Sequence, residues 1–523
     1  MMAVPTRFLT SCIATALLVA WAGPTPAAAA RQPDVLLIMV DDLNAMIEPL
    51  GDPQAITPNL TKLANRGMVF TNAQSIAPQC NAIRTAALFG LLPSTSGVYN
   101  NAQDWRAMPL FTDKPSLPRY FRESGYLTFG AGKIFHAHTF GASGHPGFND
   151  VKAWNDFWPA LDWQLPDELK PAAVDQLQFN WGPVVATFDA TIDGMTSGYV
   201  VRRIRETEGV RQPRFIAAGI YRPHAPWYNP TEYFNMYPLD GVKLPPYKAD
   251  DLDDIAPAHH DRQRMKPIME AGAWKDAVQA YLSSITLADE AVGRVLKALD
   301  ESGRAGNTII VLMSDHGYQL GEKNQREKET LWEPSLRVPF IIVAPGVTKP
   351  GSRTDVPVSS MDLYPTLVDL AGLKAPGHLE GGNSLRPLLE NPGMKWDRVA
   401  LSTWGKGNHS VRDVRWRYTR YADGAEELYD HSNDPDEWNN LAADPGLASV
   451  KQRLATHFPK VNVDPWRNPA AAPARGAGPG ARGAAGAGPG AAARGARGGG
   501  PASGAGARGG PAARGPAAEP AAE

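Results

Sequence analysis

Cysteine is nearly absent from this chain: its 523 residues include two, Cys12 and Cys80. A disulfide-stapled framework is thereby excluded. Neither a Cys-x-x-Cys pair nor a His-x-x-x-His occurs, which disfavours a structural zinc site. An excess of one charge is lacking as well. Lysine and arginine number 52 against 54 aspartates and glutamates, giving a formal net charge of -2. That balance, with no basic stripe or aromatic platform, gives no basis for nucleic-acid binding. Apolar runs long enough to span a bilayer are missing too. The one within residues 8–23 falls short of the ~20 residues a spanning helix needs, so no transmembrane segment is expected.

That short run reads instead as the core of an export signal. Arg7 precedes it and small residues at Ala27–Ala30 suit a signal peptidase, so residues 1–30 are expected to be removed and the mature protein to be periplasmic or secreted. A lipoprotein reading of Leu9-Thr10-Ser11-Cys12 is weak, because Cys12 precedes the apolar core. Loss of the signal leaves Cys80 as the single thiol in an oxidising compartment. Such a thiol is buried, paired between chains, or used in chemistry. At the other end, residues 469–523 are almost wholly Ala, Gly, Pro and Arg. A segment without large apolar side chains cannot offset its chain entropy and is expected to be a solvated, disordered tail. Residues 31–468 remain, enough for a sizeable core.

Asp34–Val40 is a short apolar run closed by Asp41-Asp42, the pattern of a buried parallel strand with acids at its carboxyl end. Thr308–Ser314 repeats the pattern and ends at Asp315. Tyr126–Ala131, Arg214–Gly219 and Phe340–Ala344 are further strand candidates. Thr57–Arg66 predicts a helix with Thr57 as N-cap, Pro58 in its first turn and Gly67 as its stop. Ala277–Ser302 predicts a long amphipathic helix. Strands alternating with helices imply an α/β fold, a large mostly parallel sheet sandwiched by helices. The texture changes near residue 372. Val399–Tyr429 carries short Arg/Trp/Tyr-rich strands and Ala448–His457 a closing helix. The expected division is a catalytic domain over 31–371 and a smaller α+β subdomain over 372–468.

Ligand sites in such sheets lie beyond the carboxyl ends of the strands. Asp41-Asp42 and Asp315-His316 both fall there. Singly, each pair is as easily a helix cap. Together they bring three carboxylates and an imidazole to one sheet edge, and a cation is the simplest relief of their repulsion. Oxygen-rich donors favour Ca²⁺, Mg²⁺ or Mn²⁺. Cys80-Asn81-Ala82-Ile83-Arg84 is followed by Thr85–Gly90, a stretch that reads as a helix. The Cys80 sulfur thus sits at a helix N-terminus, where exposed N–H groups favour anions, with Arg84 one turn on. The bland alternative is a small buried hydrophobe.

At these residues the sequence resembles the sulfatase family, over nearly all of 34–445. The resemblance rests on Asp41-Asp42, Cys80-Asn81-Ala82-Ile83-Arg84, Gly132-Lys133-Ile134-Phe135-His136, Arg222-Pro223-His224, and Ser314-Asp315-His316-Gly317 with Lys328 downstream, in that order. Gly-Lys-x-Phe-His, His316 after Asp315, and Leu428-Tyr429-Asp430 followed by Asp434-Pro435 and Glu437-Trp438 are similar to the iduronate-sulfatase and choline-sulfatase branch.

The resemblance implies an alkaline-phosphatase-like fold and hydrolysis of a sulfate monoester, on a sugar or on a small organic molecule. It implies oxidation of Cys80 to formylglycine by a formylglycine-generating enzyme. One hydroxyl of the hydrated aldehyde attacks sulfur, and loss of a proton from the other then eliminates sulfate, dividing one hard step into two. Asp41, Asp42, the modified Cys80, Asp315 and His316 are implied to hold one Ca²⁺-like ion. Arg84 is implied to steady the diol and Lys133 to contact diol and sulfate. His136 is implied to take the second hydroxyl's proton, and His224 and Lys328 to bind sulfate oxygens and help protonate the leaving alcohol.

Departures from the family pattern cluster at the modification motif. Ala82 stands where the family has Pro, Ile83 where it has a small polar residue, and Phe89 where Thr precedes Gly. Two other readings stay open. One is a phosphoesterase of the wider alkaline-phosphatase-like group, for which His259-His260 would be additional metal ligands. The other is a non-catalytic binder of sulfated ligands, if Cys80 remains a thiol. Trp154, Trp158 and Trp163 are candidates to stack on a substrate, or to be ordinary packing. The loops Ala142–Leu169 and Pro245–Met269 are where specificity is expected.

Overall fold

A computed structural model describes Met2 and residues 31–136, 148–158, 180–260 and 263–467. The expected signal segment, the expected tail, Trp163 and most of the Ala142–Leu169 loop lie outside the described residues. Eight strands form the main sheet: β1 (Asp34–Asp41), β2 (Met68–Phe70), β3 (Leu127–Gly132), β4 (Asp156–Trp158), β5 (Arg214–Pro223), β6 (Thr308–Ser314), β7 (Phe340–Val343) and β8 (Ser352–Thr354). Their spatial order is β8-β2-β7-β6-β1-β5-β3-β4. β7 is antiparallel to both its neighbours, and every other neighbouring pair is parallel.

β1 and β6 occupy the centre, and every one of their residues is buried. Their apolar side chains serve both faces. Leu36, Ile38 and Val40 join one core cluster, Val35, Leu37 and Met39 the other. Each such side chain contributes about 1.5–3 kcal/mol on burial. The first face is covered by α1 (Pro58–Arg66), α3 (Ile192–Glu206) and α4 (Trp274–Glu301), the second by α2 (Cys80–Phe89) and α5 (Leu363–Leu370). This is the expected α/β sandwich.

Two local expectations were met in part. α1 begins at Pro58 as its sequence suggests, yet the Thr57 side chain makes no cap hydrogen bond. The Asp289 carboxylate, from α4, accepts the N–H of Asn59 at 3.1 Å and of Leu60 at 2.7 Å. A carboxylate supplied by tertiary packing displaces the weaker local hydroxyl. The strand at Phe340 exists, but it runs against the sheet. Residues 315–339 contain no helix longer than the four residues Glu333–Leu336, so the chain lacks the crossover a parallel return requires. It therefore stays at the carboxyl end of the sheet, the side that carries Asp315, His316 and Lys328.

A second, antiparallel sheet follows: β9 (Ala400–Thr403), β10 (His409–Arg412), β11 (Trp416–Arg420) and β12 (Glu426–Asp430), in sequential order. Helix α6 (Ala448–Ala455) closes it, with Leu454 packed beside Val411, Tyr418 and Leu428. Both sheets belong to one compact unit within residues 1–475. Among the described residues no helix is long and apolar enough to cross a membrane.

Candidate active site

β1 ends at Asp41, and the next residue turns sharply. Asp42 has a φ of 62°, a left-handed conformation that a non-glycine residue adopts at a cost of about 1 kcal/mol or more. The turn is held from three sides. The Asp42 N–H donates to Asp315 Oδ1 at 3.1 Å, the Asp42 carbonyl accepts the Tyr281 hydroxyl at 2.7 Å, and Leu43 N–H donates to Ser314 Oγ at 3.0 Å. The result is two adjacent carboxylates facing the end of β6. Both Asp41 and Asp315 are fully buried.

α2 delivers the thiol. It begins at Cys80, with Gln79 as an extended N-cap residue, and ends at Gly90 in the left-handed conformation. The Cys80 sulfur lies 3.2 Å from His316 Nε2 and 3.6 Å from Lys133 Nζ. Two sets of ligand atoms converge on it. Those of Asp41, Cys80, Asp315 and His316 all lie within 4.8 Å of one another, as do those of Asp41, Asp42, Cys80 and His224. His316 Nδ1 is 3.0 Å from the Gly317 carbonyl, a contact that turns Nε2 toward the cluster.

Cations complete the site. Arg84 is wholly buried; its Nε meets Asp315 at 3.0 Å and its Nη2 meets Asp41 at 3.0 Å. It also donates to the carbonyls of Lys133 and Ile134. Lys133 pairs with Asp41, and Lys328 with Asp42 at 2.6 Å. Lys133 follows β3 and reaches the site because Gly132 is left-handed and Gly219 carries no side chain. A Cβ at Gly219 would collide with the Lys133 backbone, whose N–H donates to the Gly219 carbonyl at 3.0 Å. His136 ends the same segment and hydrogen-bonds the Cys80 sulfur. His224 follows β5, its Nδ1 2.5 Å from the Ala225 carbonyl and its ring 4.9 Å from that of Tyr221. Tyr221 in turn lies under the Lys133 ammonium, 5.3 Å away.

The electrostatics follow from this crowding. Burial pushes the Cys80 thiol up, but Lys133, Lys328 and His316, with the His136 hydrogen bond, bring it well below its ordinary value. Burial raises Asp315 to about 7. Burial disfavours the His316 imidazolium, yet Asp315 and Cys80 outweigh that and raise it to about 9. Burial and the Cys80 sulfur act to raise Asp41, while Lys133, His224 and Arg84 hold it below the usual carboxylate range. Three carboxylates, a thiol of lowered pKa and a histidine that prefers its cationic form therefore share one small volume. Oxygen donors dominate it, and the histidine stands where positive charge is favoured. These residues fit a hard divalent cation.

All ten residues named from the sequence for catalysis or metal binding thus lie at one sheet edge. Arg84 differs in detail. Spacing pointed it back toward Cys80, whereas its guanidinium locks Asp41 and Asp315 together. Phe89 also finds its reason. Its ring packs 4.7 Å from Trp105, 4.8 Å from Phe111 and 6.2 Å from Phe135, so it braces the segment bearing Lys133 and His136. His259 stacks flat on Tyr421 at 3.5 Å and meets Asp423, and His260 faces the Ile255 carbonyl. Neither is among the convergent ligand groups of the described residues. Trp154 is buried and donates to Asn149, and half-buried Trp158 stacks on Tyr199.

Other residues escaped sequence reading. Asp193, on α3, accepts the N–H groups of Tyr221 and Arg222, and burial raises it to about 6. Arg222 holds the His224 and Tyr228 carbonyls and Asn229. Arg222 stood inside a motif, but nothing local signalled Asp193.

Comparison with known proteins agrees with this geometry. Residues 33–373 match the family described as Sulfatase, and residues 321–464 that described as N-sulphoglucosamine sulphohydrolase, C-terminal. A sulfatase of Formosa agariphila is 37% identical over 449 residues, covering 83% of this chain and 87% of that protein. A choline-sulfatase of Rhizobium meliloti is 29% identical over 460 residues, covering 83% and 87%. A phosphonate monoester hydrolase of Silicibacter pomeroyi shares the fold, with a TM-score of 0.68 and 24% identity over 81% of this chain and 94% of that one. The chain belongs to the sulfatase family, the sulfuric ester hydrolases.

Proposed function

We propose that this sulfatase works through a formylglycine made from Cys80, with one divalent ion, Ca²⁺ by its oxygen-rich donors, held by Asp41, Asp42, Asp315 and His316. The observation that carries this reading is the position of the Cys80 sulfur, 3.2 Å from His316 and 3.6 Å from Lys133, inside a set of carboxylates within 4.8 Å of one another. A divalent ion there supplies Lewis acidity toward a sulfate oxygen and favours ionised oxygen at position 80. The oxidised side chain supplies a hydroxyl nucleophile and a route by which sulfate leaves without direct hydrolysis at sulfur.

The chain's own residues do the rest. Lys133 and Lys328 present ammonium groups to the sulfate oxygens, offsetting charge that grows in the transition state. His224 donates a proton to the departing alcohol, and His136 takes one from the hydroxyl at position 80. Arg84 keeps Asp41 and Asp315 in register. The substrate is a sulfate monoester of a sugar or a small alcohol. Relatives of 27–29% identity include an iduronate 2-sulfatase, a choline-sulfatase and a hexuronate-2-O-sulfatase. Export to the periplasm or medium rests on residues 1–30, and the division at residue 372 on the change in sequence texture.

The test is mass spectrometry of the Cys80 peptide from protein made together with a formylglycine-generating enzyme, paired with arylsulfate assays of wild type and Cys80→Ala. Loss of 18 Da relative to cysteine, as oxidation of a thiol to an aldehyde requires, and inactivity of Cys80→Ala are expected. An unmodified Cys80 with sulfate-ester binding but no turnover would reassign the protein as a binder. Phosphoesterase activity surviving Cys80→Ala would favour that alternative chemistry.

A further inference from the structure

Lys328 sits in an unusual stretch of backbone. Its neighbours on both sides, Glu327 and Glu329, have φ of 73° and 78°, in the left-handed region. Neither is glycine, and each costs about 1 kcal/mol or more unless its surroundings impose it. One side chain holds both. Arg264 Nη1 lies 2.5 Å from Glu327 Oε2, and its Nη2 lies 2.9 Å from Glu329 Oε2. The backbones run together there too. Met265 N–H donates to the Asn324 carbonyl at 3.0 Å, and Arg326 Nε donates to the Arg264 carbonyl at 3.1 Å. Glu329 Oε1 also accepts from Gln79 Nε2 at 2.5 Å, and Gln79 directly precedes Cys80.

We propose that Arg264 is a positioning residue for Lys328, clamping Glu327 and Glu329 so that the ammonium between them faces Asp42 and the sulfate rather than its own neighbours. This rests on the sulfatase reading only in taking sulfate as the anion bound. Two effects converge. The fork of a guanidinium spans two carboxylates at once, which a lysine cannot do, and so fixes the left-handed pair. With Arg326, whose Nη1 meets Glu327 Oε1 at 2.6 Å, it also offsets two negative charges beside an anion site, where they would compete for Lys328 and repel the ester. The Arg264 side chain is 27% exposed. Solvent screening keeps its share of global stability small, so its loss should act on the Lys328 loop and leave the melting temperature little changed.

Calorimetric titration with inorganic sulfate tests this on the full-length protein, because binding needs neither turnover nor a modified Cys80. Arg264→Met is expected to weaken sulfate binding roughly tenfold, the scale of one charged hydrogen bond, and Arg264→Lys to restore little of it. Combining Arg264→Met with Lys328→Ala should bind no more weakly than Lys328→Ala alone, since the two act through one ammonium. The pair Glu327→Gln with Glu329→Gln offers a second route should Arg264→Met not fold. Clamping predicts weaker sulfate binding in that pair although two negative charges are gone. Binding by Arg264→Met within twofold of wild type, losses that multiply in the double variant, tighter binding by the Gln pair, or no sulfate binding by wild type would overturn the proposal. Arylsulfate turnover by wild type is recorded separately, so a failure of the sulfatase chemistry appears there and not in the sulfate titration.

Discussion

The sulfur of Cys80 and Nε2 of His316 lie 3.2 Å apart although 236 residues separate them in sequence. The first comes from the start of a helix and the second from the residue after a strand-end acid, and only the parallel packing around β1 and β6 joins them. A group so placed is expected to be indispensable rather than helpful. Cys80→Ala should fold, since it removes one buried sulfur, and should lose at least roughly a thousandfold in kcat against an arylsulfate. Near-wild-type turnover by a folded Cys80→Ala protein would detach the chemistry from this residue.

Removing the divalent ion should separate activity from stability. Each strand-end acid already has an organic partner: Arg84 and Lys133 for Asp41, Lys328 for Asp42, Arg84 for Asp315. A chelator is therefore expected to lower arylsulfate turnover by roughly a hundredfold or more, restored by Ca²⁺, Mg²⁺ or Mn²⁺. The melting temperature should fall by only a few degrees, because no carboxylate is left unpaired. Collapse of the fold on chelation would contradict this account of the cluster.

Phe89 occupies a position where the family's modification motif has threonine. Reverting it should harm this protein. The ring fills the space between Trp105, Phe111 and Phe135, and Phe89 is fully buried. Phe89→Thr removes that volume and buries a hydroxyl, and should cost about 3 kcal/mol. Chemical denaturation of the two proteins measures it. Equal midpoints would mean that the aromatic cluster does not hold the Lys133 segment in place.

The C-terminal sheet is tied through Arg417, which is fully buried, to Gln74 and to Glu333 of the short helix Glu333–Leu336. Arg417 Nε reaches Glu437 at 2.5 Å, Nη2 reaches Glu333 and Gln74, and Nη1 reaches Ser410. His431 stands 3.0 Å from the same Glu437. Truncating the arginine leaves Glu437 with His431 and Glu333 with Arg412 at 3.6 Å, so both acids lose their nearest guanidinium. Arg417→Leu is expected to destabilise by about 3–5 kcal/mol, read from denaturant midpoints. A smaller loss from Glu333→Gln, which leaves Glu437 to balance the arginine, would support the same ordering. A change under about 1 kcal/mol for Arg417→Leu would remove the network from the list of stabilising contacts.

The sequence carried those parts of the site that depend on short-range rules. Apolar runs ending in Asp41-Asp42 and Asp315-His316 announced central strands and the edge where ligands gather, because burial and sheet topology act on every such run alike. The helix at Cys80 was legible from its composition. What could not be read were partnerships between distant elements. Asp289 caps α1 in place of Thr57, Asp193 holds the backbone before His224, and Arg264 braces Lys328, each through a polar contact that leaves no periodic trace. Arg84 shows the boundary well. Its nearness to Cys80 followed from one turn of helix, but its grip on Asp41 and Asp315 depended on where three strands end.

His409 gives a pH dependence with a definite sign. It is buried in β10, with Nδ1 3.0 Å from Thr403 Oγ1 and Nε2 2.8 Å from Asn462 Oδ1. Burial lowers its pKa below the ordinary 6.5, Arg420 acts the same way, and the Asn462 hydrogen bond opposes them. The folded protein thus keeps a neutral imidazole where the unfolded chain has begun to take up a proton. Between the lowered value and 6.5 the unfolded state binds more protons, so stability rises with pH across that window. The contribution is complete above pH 6.5 and is lost as the solution is made more acidic. His409→Gln cannot titrate, and other groups titrate alike in both proteins. The gap in melting temperature between wild type and His409→Gln should therefore be widest near pH 8 and narrow toward pH 5. A gap that stays constant across that range would show that His409 keeps the same charge in the folded and unfolded chain.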